Sequence, residues 1–292
     1  MKKDTDNGTV SLGSIAWRRF RKNKLAMFGV VVIALLILMS VCAPVLTTYG
    51  RDDIDLYNIE AAPNSDHLLG TDELGRDVLT RLLYGGRVSL TVGLLASVFE
   101  IIIGVSVGAI AGFYGGKVDS LIMRITDVIM CFPFFVVAIA LAAMIGPSMM
   151  NLIFIIAILE WTKIARIVRA EVLSVKERDF IQAARSMGLS KMEIIIKHVL
   201  PNTFASIMVF ATLAIANGIL TEAALSFLGL GVRPPQPSWG NMLSAAQSMR
   251  VLQYEWWMWI PQGFGVYHGN LNQLSGRRPT GCAGSQAEDL RW

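Results

Sequence analysis

Apolar runs of bilayer-crossing length recur along this chain, and no other feature limits its fold as severely. A hydrocarbon core about 30 Å thick takes about 20 mostly apolar helical residues, because an unpaired backbone group in lipid costs several kcal/mol. Five stretches read as spans: residues 25–46, 88–113, 128–145, 149–161 and 204–230. A sixth opens at Trp256 and then fails. With 53% hydrophobic and 16% charged residues over 292 positions, an ordinary soluble domain is excluded. The net charge of +4 is scattered between apolar runs rather than gathered on one solvated face, which sets nucleic-acid binding aside. Cys42, Cys131 and Cys282 are too few and too scattered for a disulfide framework or a zinc site.

Charge sets the orientation. Arg18, Arg19, Arg21, Lys22 and Lys24 precede the first span, so the positive-inside rule puts the N terminus in the cytoplasm. A cleaved signal peptide fits poorly because no small-x-small site follows the span cleanly. A lipoprotein reading of Cys42 is weaker still, since Val41 is too large for such a site. Counting outward, residues 47–87 are external, 114–127 internal, the turn at Gly146 and Pro147 external, and 162–203 internal. The last carries Lys163, Arg166, Arg169, Lys176, Arg178, Arg185, Lys191 and Lys197, whereas the first external segment is net acidic.

An energy source is not legible. Gly115, Gly116 and Lys117 imitate a P-loop faintly, but Val118 takes the hydroxyl position and Ala111 the leading glycine. His67, His198 and His268 lie far apart, with no nucleophile or ligand pattern beside them. Glu100 and Glu222 are the ionisable residues of note inside spans. They read either as helix-paired or interfacial carboxylates or as a proton relay.

Residues 177–202 are too patterned for a plain connector. Asp179 followed by Gln182 predicts a helix start, and Gly188 supplies a left-handed residue that ends the helix. Ser190 and Glu193 predict a second capping box. Met192, Ile195, Ile196 and Val199 follow at helical spacing, and Pro201 is expected to end that helix. Two short amphipathic helices with a glycine elbow result, covered either by the chain's own spans or lipid, or by a soluble partner.

Gln182-Ala183-Ala184, then Gly188, then His198-Val199-Leu200-Pro201 resembles the EAA loop of importer-type ABC permeases, with Gln182 in place of the glutamate and His198 in place of the isoleucine. His67 to Asp77, containing Gly70, Thr71, Asp72, Gly75, Arg76 and Asp77, resembles the second permease of dipeptide, oligopeptide and nickel uptake systems. So do Ala223 to Gly231, Pro234-Pro235 and Ser238-Trp239-Gly240. The resemblance covers roughly residues 17–261. It implies an all-α polytopic membrane protein with the six-span importer-type ABC permease fold, its sixth span damaged.

It further implies a homologous second permease, cytoplasmic ABC ATPase subunits and an extracytoplasmic substrate-binding protein. ATP would be hydrolysed by those partners, with no cofactor or metal held by this chain, in a bacterial or archaeal cytoplasmic membrane. Gln182, Ala183, Ala184, Gly188, His198, Leu200 and Pro201 would couple to the ATPase. Gly70, Thr71, Asp72, Gly75, Arg76 and Asp77 would face the binding protein or merely cap the bundle. Di- or oligopeptides are the expected cargo. A nickel permease of the same family and a self-contained ion-coupled carrier are the alternatives.

After Trp256 to Pro261 the chain turns polar, with Tyr267, His268, Asn270, Asn272, Gln273, Arg277 and Arg278. Codons for residues 267–285 can be chosen that, read one base later, encode Ile-Thr-Val-Thr-Ser-Ile-Asn-Phe-Leu-Gly-Asp-Gly-Leu-Arg-Asp-Ala-Leu-Asp-Pro. That string completes an apolar helix and resembles the family's usual ending. The expectation is a frameshift near Gly265, genuine or a sequencing error, with a designed polar tail as the alternative. The organisation expected is a cytoplasmic segment at 1–24, first span and external loop at 25–87, a core at 88–265 containing the coupling loop 162–203, and an out-of-frame tail at 266–292.

Overall fold

The computed structural model describes residues 24–247, 251 and 255–258. Its described residues are helical apart from loops and one isolated bridge between Thr71 and Asp77. In chain order the helices are α1 (Lys24–Val41), α2 (Ala43–Leu46), α3 (Val78–Tyr114), α4 (Gly116–Cys131), α5 (Phe134–Ile145), α6 (Met149–Lys176), α7 (Asp179–Ser186), α8 (Lys191–Ile194), α9 (Leu200–Phe227) and α10 (Trp239–Ala245). A π-helical turn, Ile195–Val199, joins α8 to α9. The basic flank at Arg18 to Lys22, the continuation of the sixth span and the tail at 266–292 lie outside the described residues.

Helix α3 is the mast of the bundle, packing most extensively on α6 and next on α9. Glycines let the backbones close up, as is usual where no hydrophobic force separates helix from lipid. A Cβ on Gly104 would meet the Trp161 carbonyl at 2.9 Å, one on Gly108 would strike the Ala165 carbonyl, and one on Gly112 would meet the Arg169 carbonyl at 2.9 Å. Nearer the other end of α3, Gly93 and Gly218 bring α3 and α9 together in the same way. Two apolar clusters fill the remaining space. One gathers Val92, Ala96, Ile153, Ile156 and Leu225, and the other Phe113, Val168, Val172, Ile181 and Val199.

Three span boundaries differ from the sequence reading. Helix α3 starts ten residues before the expected Val88, because Asp77 caps it: its carboxylate accepts the Thr80 N–H at 2.8 Å and the Thr80 hydroxyl at 2.7 Å. The expected span at 128–145 is broken. Pro133 lacks an N–H and pushes Phe132 into an extended conformation, so α4 and α5 meet at a bend of 82°. Helix α6 does not end near Trp161 but runs on to Lys176, and much of the expected loop at 162–203 is this extension.

Its charges hold α4 alongside. Arg169 forms a two-pronged ion pair with Asp119 at 2.5 Å, and Arg166 reaches Asp127 at 2.6 Å. Among the described residues, α3 and the Ser206–Phe227 part of α9 are long and apolar enough to cross a membrane, and the bent α4–α5 pair makes a third if taken as one span.

Candidate functional site

The elbow at α7 and α8 is built from its glycine outward. Gly188 has φ +79°, a conformation that disfavours side chains, and it closes α7 with a paired motif. The Gly188 N–H donates to the Arg185 carbonyl at 3.0 Å and the Leu189 N–H to the Ala184 carbonyl at 3.3 Å. Arg178, not Asp179, is the residue that precedes α7, and no side chain caps it; the expected Asp179–Gln182 start is therefore corrected. Asp179 instead places its charge in the first turn, where the helix dipole favours it. Ser190 does cap α8 through the Glu193 N–H at 3.2 Å, but the Glu193 carboxylate turns away to Lys197 Nζ at 2.7 Å. That hydrogen bond from Lys197 holds the Glu193 carboxyl below its ordinary value.

Pro201 does not end a helix. It sits in the first turn of α9, where its missing N–H is tolerated, and the π-helical turn before it absorbs the mismatch. The chain consequently runs from α8 into α9 without a loop. Leu200 is half-buried here, and the His198 carbonyl accepts the Asn202 side-chain amide at 2.7 Å.

One face of the elbow is seated and the other is bare. Ile181, Ala184, Ile194, Ile195 and Val199 are buried against Phe113, Val172 and Val175 at the ends of α3 and α6. Arg185 lies over the Phe113 ring at 5.3 Å and Lys191 over Tyr114 at 5.2 Å, so both elbow helices are pinned to the end of α3. The register differs from the expected stripe, because Met192 and Ile196 point outward. With Phe180, Gln182, Ala183 and Met187 they form an exposed, largely apolar face, Met187 being 72% accessible.

Residues 47–77 fold into a compact cap. The Thr71 N–H donates to the Ala61 carbonyl at 3.0 Å, and the Ala61 N–H donates back to the Thr71 hydroxyl at 2.8 Å. Asp72 accepts the Leu74 and Arg76 N–H groups and pairs with Arg76 at 2.7 Å. Gly70 (φ +70°) and Gly75 (φ +76°) have no room for a Cβ, which would strike the Ala61 and Asp55 carbonyls. Gly70, Thr71, Asp72, Gly75 and Asp77 are buried and Arg76 half-buried, so these six residues hold the cap's own framework. Leu68, Glu73 and Leu74 are the neighbours it exposes. The helices next to the cap are tied to one another. Trp239 donates its N–H to Ser89 Oγ and its ring N–H to the Leu82 carbonyl, both at 3.1 Å. Arg87 donates to the Ser40 and Val41 carbonyls at 2.5 and 2.6 Å, tying α3 to α1.

Inside the bundle, Glu222 is fully buried and accepts the Ser226 hydroxyl at 2.6 Å, while Glu100 is buried on α3. On α6, Glu160 and Lys163 pair at 2.5 Å beside a cavity of about 580 Å³. Neither residue had been singled out from the sequence as a site, although both are ionisable groups at the end of an apolar run. The Gly104, Gly108, Gly112 stripe was also legible as small residues four apart in an apolar helix.

The elbow is pinned to the bundle on one face and bare on the other, and sequence comparison gives the family of the chain that carries it. Residues 104–266 match the family described as binding-protein-dependent transport system inner membrane component. The chain belongs to that family. Residues 11–63 match the N-terminal TM domain of oligopeptide transport permease C. The permease is 42% identical over 251 residues to the dipeptide transport system permease protein DppC of Alkalihalophilus pseudofirmus, covering 86% of this chain and 82% of the relative. It is 39% identical over 256 residues to the oligopeptide transport system permease protein OppC of Bacillus subtilis, covering 88% and 84%. The glutathione transport system permease protein GsiD of Pectobacterium atrosepticum is 40% identical over 237 residues, covering 81% and 79%. The permease is thus a polytopic, helical membrane component of a binding-protein-dependent uptake system.

Proposed function

We propose that this permease carries di- or oligopeptides inward, powered by ATP hydrolysed on separate cytoplasmic ATPase subunits, and bound to a homologous second permease and an external substrate-binding protein. The observation that carries this reading is the elbow: apolar Phe180, Met187, Met192 and Ile196 are bare in a family of transport components. Gln182, Ala183 and Gly188 form the contact with the ATPase, and buried Ala184 seats the elbow on the bundle. His198, Leu200 and Pro201 form the throat through which its motion passes into α9. Because α8 continues into α9 without a loop, a push on the elbow tilts a membrane helix as a rigid lever. Orientation follows from the charge pattern, with the N terminus and elbow in the cytoplasm and the cap outside. The cap meets the binding protein through exposed Leu68, Glu73 and Leu74, while its glycines, Thr71, Asp72, Arg76 and Asp77 keep its shape. No cofactor or metal is needed from this chain.

The test is reconstitution of the permease with its partner subunits in vesicles, following peptide uptake with and without ATP. Gly188→Pro cannot take φ +79°. It is expected to abolish ATP-driven uptake while the spans still assemble. Uptake without any ATPase subunit would instead mean an ion-coupled carrier.

A further inference from the structure

The cavity of about 580 Å³ beside α6 and α9 has the size of a small-ligand pocket, and Phe134, Phe135, Glu160, Lys163, Asn217 and Thr221 are among the residues lining it. Glu160 is the twelfth residue of α6, about 17 Å along the helix from Met149 at 1.5 Å per residue. It stands at the end of the helix's apolar run, where a carboxylate this buried is costly unless paired.

The pair is lopsided. The Glu160 side chain is 9% accessible and the Lys163 side chain 54%, with Lys163 Nζ 6.0 Å from the Phe134 ring centre. Glu100, buried on α3, lies within electrostatic reach of both. Both side chains line the cavity, and the Lys163 ammonium is the more exposed of the two.

We propose that Glu160 and Lys163 form a transit site for the main-chain charges of a zwitterionic peptide. The ion pair opens as the peptide arrives. Glu160 takes the peptide ammonium and Lys163 its terminal carboxylate, so no charge is left unpaired in a low-dielectric setting at any stage. Thr221 offers a polar group to the peptide backbone, and Phe134 and Phe135 form an apolar wall for its side chains. Only features common to all peptides are recognised, which leaves side-chain choice to other components. This inference rests on the peptide-uptake reading above.

The complete transporter, in vesicles with its binding protein preloaded with trialanine, supplies the test. Glu160→Gln, Lys163→Met and the exchanged pair Glu160→Lys with Lys163→Glu are compared for trialanine uptake and for ATP hydrolysis stimulated by the loaded binding protein. The expected result is at least about a tenfold fall in uptake in all three, as for loss of a charged hydrogen bond. Stimulated ATP hydrolysis should stay within about twofold of the unaltered transporter. Uptake restored by the exchanged pair would show a structural ion pair and overturn the site, as would normal uptake in the single variants or parallel loss of stimulated hydrolysis in all three. No ATP-driven uptake of trialanine by the unaltered transporter would overturn the peptide reading itself, and the site with it.

Discussion

His67 Nδ1 lies 3.0 Å from Asp77 Oδ1, and the other oxygen of the same carboxylate caps α3 through the Thr80 N–H. One buried side chain therefore joins the fold of the cap to the first turn of the central helix. Replacing Asp77 by Ala removes a helix cap worth about 0.5–2 kcal/mol and strands a buried ring nitrogen. The melting temperature of the detergent-purified protein should drop clearly for Asp77→Ala and less for Asp77→Asn, which keeps an acceptor. Equal melting of all three would show that the link contributes nothing.

Close approach of α3 and α6 depends on Gly108, where a Cβ would strike the Ala165 carbonyl. Gly108→Leu forces the helices apart, and overpacking of this kind costs about 1–3 kcal/mol or more. The expected outcome is a protein that reaches the membrane but aggregates on extraction, seen by size-exclusion chromatography. Leucine at Gly116, where nothing lies within 4 Å of the added Cβ, is the control; its positive φ adds only local strain.

The bare elbow face should matter to coupling and not to folding. Met187 is 72% exposed and touches no core cluster, so Met187→Glu leaves the fold intact. Burying a carboxylate against an apolar partner surface is costly. Co-purification of the ATPase subunits with the permease should fall about tenfold or more, with the melting temperature unchanged. Retained co-purification would place the ATPase contact elsewhere.

Acid should loosen the cap in a defined window. The Asn58 side-chain amide donates to Asp55 at 2.7 Å and the Tyr57 N–H at 2.9 Å, and these hold the Asp55 carboxyl below its ordinary 3.8. A carboxyl lowered in the folded state stabilises fully above its unfolded value and loses that contribution as pH falls through the folded one. Amide protection at Tyr57 and Asn58, corrected for intrinsic exchange, should hold steady from neutral pH to about 4 and fall below it. Asp55→Asn should erase that acid-dependent step.

The frame argument for the C-terminal tail has a direct check in the gene. The family match stops at residue 266, next to the expected shift near Gly265. Sequencing the DNA for residues 260–292 should show codons that, one base later, encode the apolar ending. Codons that cannot be read that way would mean the polar tail is the designed one.

Much of the candidate site was written in local pattern. Gly188, Ser190 and the motif around Ala183 and Ala184 located the elbow because a left-handed stop and a serine cap are decided by neighbours in sequence. The elbow's buried face was only half legible, since Ile195 and Val199 turn inward as the stripe implied, but Ile194 does so in place of Met192 and Ile196. That rotation is set by where α3 and α6 end, and the π-helical turn before Pro201 changes the count of residues per turn.

Apolar run length and turn chemistry made this chain a helical membrane protein with a glycine elbow, because lipid demands internally satisfied backbones whatever the neighbours. What only the tertiary structure decided was which groups meet: Asp77 with His67, Arg169 with Asp119, and Glu160 with Lys163 beside the cavity. Arg169 and Asp119 are brought together across 50 positions by α4 folding back along α6, and even near neighbours such as Glu160 and Lys163 acquire their cavity only when α9 packs beside them. Spacing along a chain fixes one helix face relative to itself; only packing, through glycine contacts and complementary charge, fixes it relative to another.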